Sequence, residues 1–244
     1  MNGIYESIRK GHIYARKKIK TLDITETNKV VIPEHLHNSD FVGQETLNSI
    51  KVNPSHNSVS FSMFGSEILI NISKYGLRES VSKYLIGMIS WLHVLKNFLP
   101  AELNIYLYLL PHNKKLTEIN PYSPDNVNSG YSYYTRTEAD IVIFRKEEWF
   151  KVFLHETFHS CHLDFAGLCA CSIKKLFKIK SEYRVYESYT ECWARLINCI
   201  YHSYYQKKRL TEVIREEVVY SIQNAAKVLA YTGHSYRELF NSES

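Results

Sequence analysis

The stretch "FKVFLHETFHSCHLDF", from Phe150 to Phe165, sets three histidines, a glutamate and a cysteine inside a run of apolar and aromatic residues. Buried helices rarely carry so many polar groups without partners for them. Within it, His155, Glu156 and His159 spell HExxH. Two imidazoles four positions apart project from one face of a helix and can grip one cation. Glu156 is turned about 100° from His155 by the 3.6-residue period, which sets its carboxylate beside such a cation, within reach of a water held there. Phe150, Val152, Phe153, Leu154 and Phe158 supply the buried side of the helix. A site that is dry on one side and open on the other suits a polarising zinc ion.

Two imidazoles are one ligand short, because catalytic zinc takes three protein ligands. His162 lies seven positions beyond His155, about 10 Å along the axis, too far to share an ion with both others. The spacing HExxHxxGxxH is absent, since His162 and Phe165 stand where it needs Gly and His. The deaminase pattern of HxE with PCxxC is absent too. A better source is "EYRVYESYTECWARL", Glu182 to Leu196. There Glu187 and Glu191 are again four apart on one helical face, continued by Ala194. Val185, Tyr189, Cys192, Trp193 and Leu196 supply the packed sides.

With these two motifs the sequence resembles the gluzincin branch of zinc metallopeptidases, in which a ligand glutamate follows HExxH on a later helix. The resemblance covers residues 128 to 200 and rests on the two short motifs. "TECWA" is similar to an aminopeptidase-type motif of Glu, any residue, an aromatic and Ala, which favours Glu191 as the ligand. The pair Glu187 and Glu191 also resembles the thermolysin-like ExxxD, whose first acid binds metal while the second orients a histidine. That favours Glu187. Glu191 is preferred here, with Glu187 the alternative and the other acid holding an imidazole tautomer. The resemblance further implies an edge strand antiparallel to a bound peptide. "NSGYSYY" (Asn128 to Tyr134) followed by "ADIVIF" (Ala139 to Phe144) has that layout. It also implies a donor for the developing oxyanion, for which Tyr131, Tyr133, Tyr231 and His234 compete.

Around this centre, "SVSFSMFGSEILINIS" (Ser58 to Ser73) alternates as one or two strands, and residues 78–98 carry helical spacing. "LNIYLYLLP" reads as a central strand and residues 112–129 as a loop. The HExxH helix is expected to hold Glu147 and Glu148 in its first turn, where the helix dipole favours anions. Further helices are expected over 182–201 and 211–240. Strands first and helices later argue an α+β fold: a small mixed sheet, an edge strand before the HExxH helix, and a helical C-terminal half. Residues 1–57 read as a polar, basic and partly irregular segment, and residues 58–244 as a zincin-like catalytic domain.

Composition narrows the rest. Of 244 residues, 45% are hydrophobic and 23% charged, which is ordinary for a globular chain. Much of the net charge of +5 sits in "RKGHIYARKKIK", Arg9 to Lys20, read as a solvated arm or a contact to an acidic partner. No zinc-finger spacing or aromatic-interleaved RNA motif accompanies it, so nucleic acid is not favoured. "YLIGMISWLHVLKNFLP" is interrupted by His93 and Lys96 and reads as a buried helix rather than a span, so no membrane partner is expected. Cys161, Cys169, Cys171, Cys192 and Cys199 are clustered and odd in number, and read as small buried thiols of a reducing, cytoplasmic setting. No Walker loop, GxGxxG or GxSxG is present.

The expectation is a zinc-dependent metallopeptidase acting on a peptide or protein substrate. Zn²⁺ is held by His155, His159 and Glu191 or Glu187, and Glu156 serves as general base. The alternative is a zincin-like scaffold without catalysis that binds a partner; less favoured is a nucleic-acid module built on the basic arm.

Overall fold

The alternation in "HNSVSFSM" and "SEILINIS" folds as a hairpin of β2 (His56–Met63) and β3 (Ser66–Ser73), in register from His56 opposite Ser73 to Met63 opposite Ser66. Phe64 and Gly65 close it, with φ of 51° and 85°. Two-residue turns of this hand favour Asn-Gly. A phenylalanine in the left-handed region costs about 1–2 kcal/mol. The structure, a computed structural model, describes all residues except Met1, Val30, Pro54, Gly76, Arg78, 115–122, 166–183, His234 and 239–244. It divides into two compact units, residues 1–163 and 164–244. No helix among the described residues is long and apolar enough to cross a membrane.

The first unit is α+β. Its helices include α1 (Asn2–Lys18), α2 (Gln44–Lys51) and α3 (Val81–Val94). The remaining strands are β1 (Thr25–Thr27), β4 (Glu102–Leu110), β5 (Gly130–Tyr134) and β6 (Glu138–Arg145), with the short α4 (Pro124–Val127) ahead of β5. One six-stranded sheet runs β1-β2-β3-β4-β6-β5. The β3–β4 and β4–β6 pairs are parallel; the other pairs are antiparallel. Parallel neighbours need a crossover connection, and α3 supplies the one between β3 and β4. β5 is an edge strand, as the sequence suggests.

Period-two alternation splits the sheet's side chains between two faces. Ile70, Ile105, Leu107, Ile141 and Ile143 are fully buried on one. On the other, Tyr106, Tyr108, Tyr131, Val142 and Phe144 pack with Leu36, Leu47 and Ile50. Arg145 closes the end of β6, buried, donating to the carbonyls of Asn128 (2.6 Å), His112 (3.1 Å) and Asp125. It ties the segment before the edge strand to the strand beside it.

The basic run near the N-terminus belongs to a regular helix. In α1, Ile8, Gly11 and Ala15 form the buried side, and α1 packs along α3. A Cβ at Gly11 would lie 2.3 Å from the Ser90 carbonyl oxygen, so only glycine permits this crossing. The second unit contains α6 (Val185–Gln206) and α7 (Leu210–Thr232), joined by three residues as a helical hairpin. Arg195 links them, donating to Glu191 (2.7 Å) on its own helix and to Glu217 and Ser221 (3.1 Å) on α7. Among the cysteines, Cys161 and Cys199 are buried as expected, but Cys192 is exposed. Cys169 and Cys171 lie outside the described residues.

Candidate metal centre

The HExxH stretch folds as α5 (Trp149–Ser160), directly after β6 and packed on β5 and β6. Close approach to the edge strand depends on Gly130, whose missing Cβ would sit 2.9 Å from the Val152 side chain and 2.7 Å from the Val142 carbonyl oxygen. Glu147 and Glu148 precede the first turn instead of filling it. Glu148 is left-handed (φ 55°), which breaks the helical run, and its carbonyl accepts the first helical bond from Val152 N–H (2.9 Å). Its carboxylate meets the Lys114 and Lys151 ammonium groups at 3.7 and 3.6 Å.

The structure brings His155 and His159 together as the spacing predicts. Their Nε2 atoms are 3.1 Å apart and their rings meet at 66°. Two nitrogens bound to one tetrahedral zinc at 2.0–2.1 Å stand about 3.3 Å apart, so the pair is close to that geometry before any ion enters. Imidazole and carboxylate are donors that zinc accepts. His155 is half-buried, while His159 and Glu156 are each 7% exposed.

The helix is held from behind. Trp91 Nε1–H on α3 donates to Thr157 Oγ1 (2.7 Å), whose hydroxyl donates to the Leu154 carbonyl (2.7 Å). Both bonds are buried, and Trp91 also stacks near Phe158. Thr157 therefore fixes the rotation of α5 midway between the two histidines, a role the sequence reading did not assign. Thr157→Val keeps the shape and strands the indole N–H. It should lower stability by about 1–3 kcal/mol, read as a fall in the urea midpoint at unchanged slope.

Other sulfur and imidazole groups nearby are less suited to holding a cation. Burial pushes the Cys161 thiol up to about 12, so it stays protonated at neutral pH. His162 turns out of the helix at φ 54° and is exposed, its ring edge-on to Tyr134 at 5.2 Å.

Strand alternation sorts the tyrosines. Gly130 faces α5, so Ser132 and Tyr134 do as well, while Tyr131 and Tyr133 face away. The Tyr131 hydroxyl meets His35 Nδ1 (2.9 Å), and His35 Nε2 meets the Asp140 carboxylate (2.8 Å). Tyr133 stacks on the same imidazole. Burial, aided by the Asp140 charge, raises the Tyr131 pKa. The two tyrosines expected on the substrate side thus anchor the segment around His35 on the opposite face. Tyr134, which the sequence reading passed over, is the tyrosine of β5 on the α5 side. Tyr231 is exposed on α7, and His234 lies outside the described residues.

In the second unit, Glu187 occupies the first turn of α6 and is half-buried. Glu191 lies one turn on, its Oε1 accepting from Arg195 Nε at 2.7 Å. Compared with known proteins, the chain matches no family model, no curated protein and no solved structure.

Proposed function

We propose that the chain is a zinc-dependent metallopeptidase of zincin fold, in which His155, His159 and Glu187 hold the ion. One observation carries this reading: on α5 the Nε2 atoms of His155 and His159 stand 3.1 Å apart, close to the spacing of two nitrogens on one zinc ion. Two imidazoles and one carboxylate make the His₂Glu set of hydrolytic zinc sites. Glu187 is the ligand in this reading because the Glu191 carboxylate already accepts from Arg195. Further support comes from the order of edge strand β5, inner strand β6 and helix α5, the layout that the gluzincin resemblance implies.

When bound, zinc supplies positive charge that polarises a carbonyl and acidifies water. Glu156, buried beside the histidine pair, takes the proton of the attacking water and returns it to the leaving amine. The outer edge of β5, which pairs with no further strand among the described residues, offers backbone N–H and C=O groups to an extended peptide. We place the protein in a reducing, cytoplasmic compartment, in line with the free thiols of Cys161, Cys192 and Cys199.

The test joins metal analysis to a peptide-library assay. Expected are one zinc per chain and hydrolysis that stops on chelation and returns with Zn²⁺. Absence of zinc uptake, or cleavage that persists in chelator, would sink the reading.

A further inference from the structure

The tip of the β2–β3 hairpin gathers groups that peptide hydrolysis does not use. Phe64 is 46% exposed at positive φ, in a turn whose backbone would favour Asn. Its ring lies 5.4 Å from Tyr14 on α1 and 5.4 Å from His93 on α3, and Tyr14 and His93 meet at 4.8 Å. Lys96 Nζ sits 5.8 Å from the Phe64 ring, and Lys18 Nζ sits 5.5 Å from the neighbouring Phe61 ring. Phe98, two residues beyond Lys96, is 54% exposed.

Cations dominate this side. Arg16, Lys17, Lys20 and Lys96 are exposed, and none of them, nor Lys18, takes part in a salt bridge among the described residues. The acids at this end of the sheet are segregated. Glu67, Glu102 and Glu138 pair across β3, β4 and β6 in one row. By strand alternation that row lies on the face opposite Phe61, Ile68 and Met63. The helix side is therefore basic and aromatic, and the sheet side acidic.

We propose that this basic, aromatic end of the first unit docks on a bilayer with anionic headgroups. Phe64 and Phe98 are the apolar wedge, and the surrounding lysines meet lipid phosphates and carboxylates. The exposed rings are hydrocarbon throughout and sit at a turn tip and a loop, from which a ring can reach the acyl boundary. An ammonium lying over a ring can stay at headgroup level while the ring goes deeper. A single-stranded nucleic acid would instead need successive stacking platforms along a basic groove. The absence of a membrane partner expected from sequence rested on the lack of a span; a surface contact needs none. The proposal stands independently of zinc chemistry.

The full-length chain is mixed with vesicles of phosphatidylcholine alone or with about 30% phosphatidylserine, at low and raised salt, and bound protein is read by flotation. Expected is binding to the anionic vesicles only, weakening as salt rises. Replacing both Lys18 and Lys96 by Gln should weaken partitioning about 30-fold. Phe64→Asn suits the turn, should leave thermal stability equal or higher, and should weaken partitioning about tenfold. The proposal is overturned if folded wild-type protein ignores anionic vesicles, if Phe64→Asn binds them as well as wild type, or if an oligonucleotide binds this surface more tightly than the vesicles do.

Discussion

Glu156→Gln is expected to leave zinc content unchanged and to lower kcat on peptides by about 10²–10⁴-fold, the range that a positioned general base supplies. The amide matches the carboxylate in shape, which matters at a position only 7% exposed, where alanine would leave a cavity. It cannot take a proton from water at neutral pH, so the attacking nucleophile is not generated. The effect should fall on kcat more than on KM, because the lost interaction forms during proton transfer rather than in the ground state. Cleavage surviving at wild-type rate would remove Glu156 from the mechanism. A wild-type chain that binds zinc but cleaves nothing in a broad peptide library would turn the reading to a scaffold that binds without catalysis.

The second large effect separates two acids one helical turn apart. Glu187→Gln should weaken zinc affinity by about a hundredfold or more, since it would remove one of the three proposed protein ligands. Glu191→Gln should weaken it by about tenfold at most, as expected of a residue outside the ligand set. Its cost should appear in stability, because Arg195 would lose one of two carboxylate partners while keeping Glu217. Competition against a chromophoric chelator measures both affinities on one scale. A reversed ranking would restore Glu191, the choice that the similarity of "TECWA" to an aminopeptidase-type motif favours.

The strands were legible because alternation survives where one face packs and the other faces different neighbours. β2, β3, β4 and β6 all fall where the pattern puts them, and β5 is the edge strand. The histidine pair was legible because a four-residue step on a helix is a local geometry. Longer-range choices were not. Nothing local tells which face of β5 meets α5, and that one fact moves Tyr131 and Tyr133 to the His35 side and leaves Tyr134 on the other. The acids Glu187 and Glu191 look equivalent until Arg195 is seen to hold one of them. The left-handed Glu148 was hidden because glutamate gives no signal for positive φ. α1 was under-read for a different reason: its packed side is thin, made of Ile8, Gly11 and Ala15, while lysines and arginines fill the rest. Small residues carry little hydrophobic periodicity even where they allow the tightest packing.

The contact of Gly11 with Ser90 changes what shortening the protein would mean. Cutting away the first twenty residues looks from composition like trimming a charged tail. In the folded chain it would strip the cover from α3, which also carries the Trp91 that braces α5. A trimmed protein that lost an interaction would thus report a damaged scaffold rather than a missing basic segment. Point neutralisation of surface cations asks the electrostatic question without that damage.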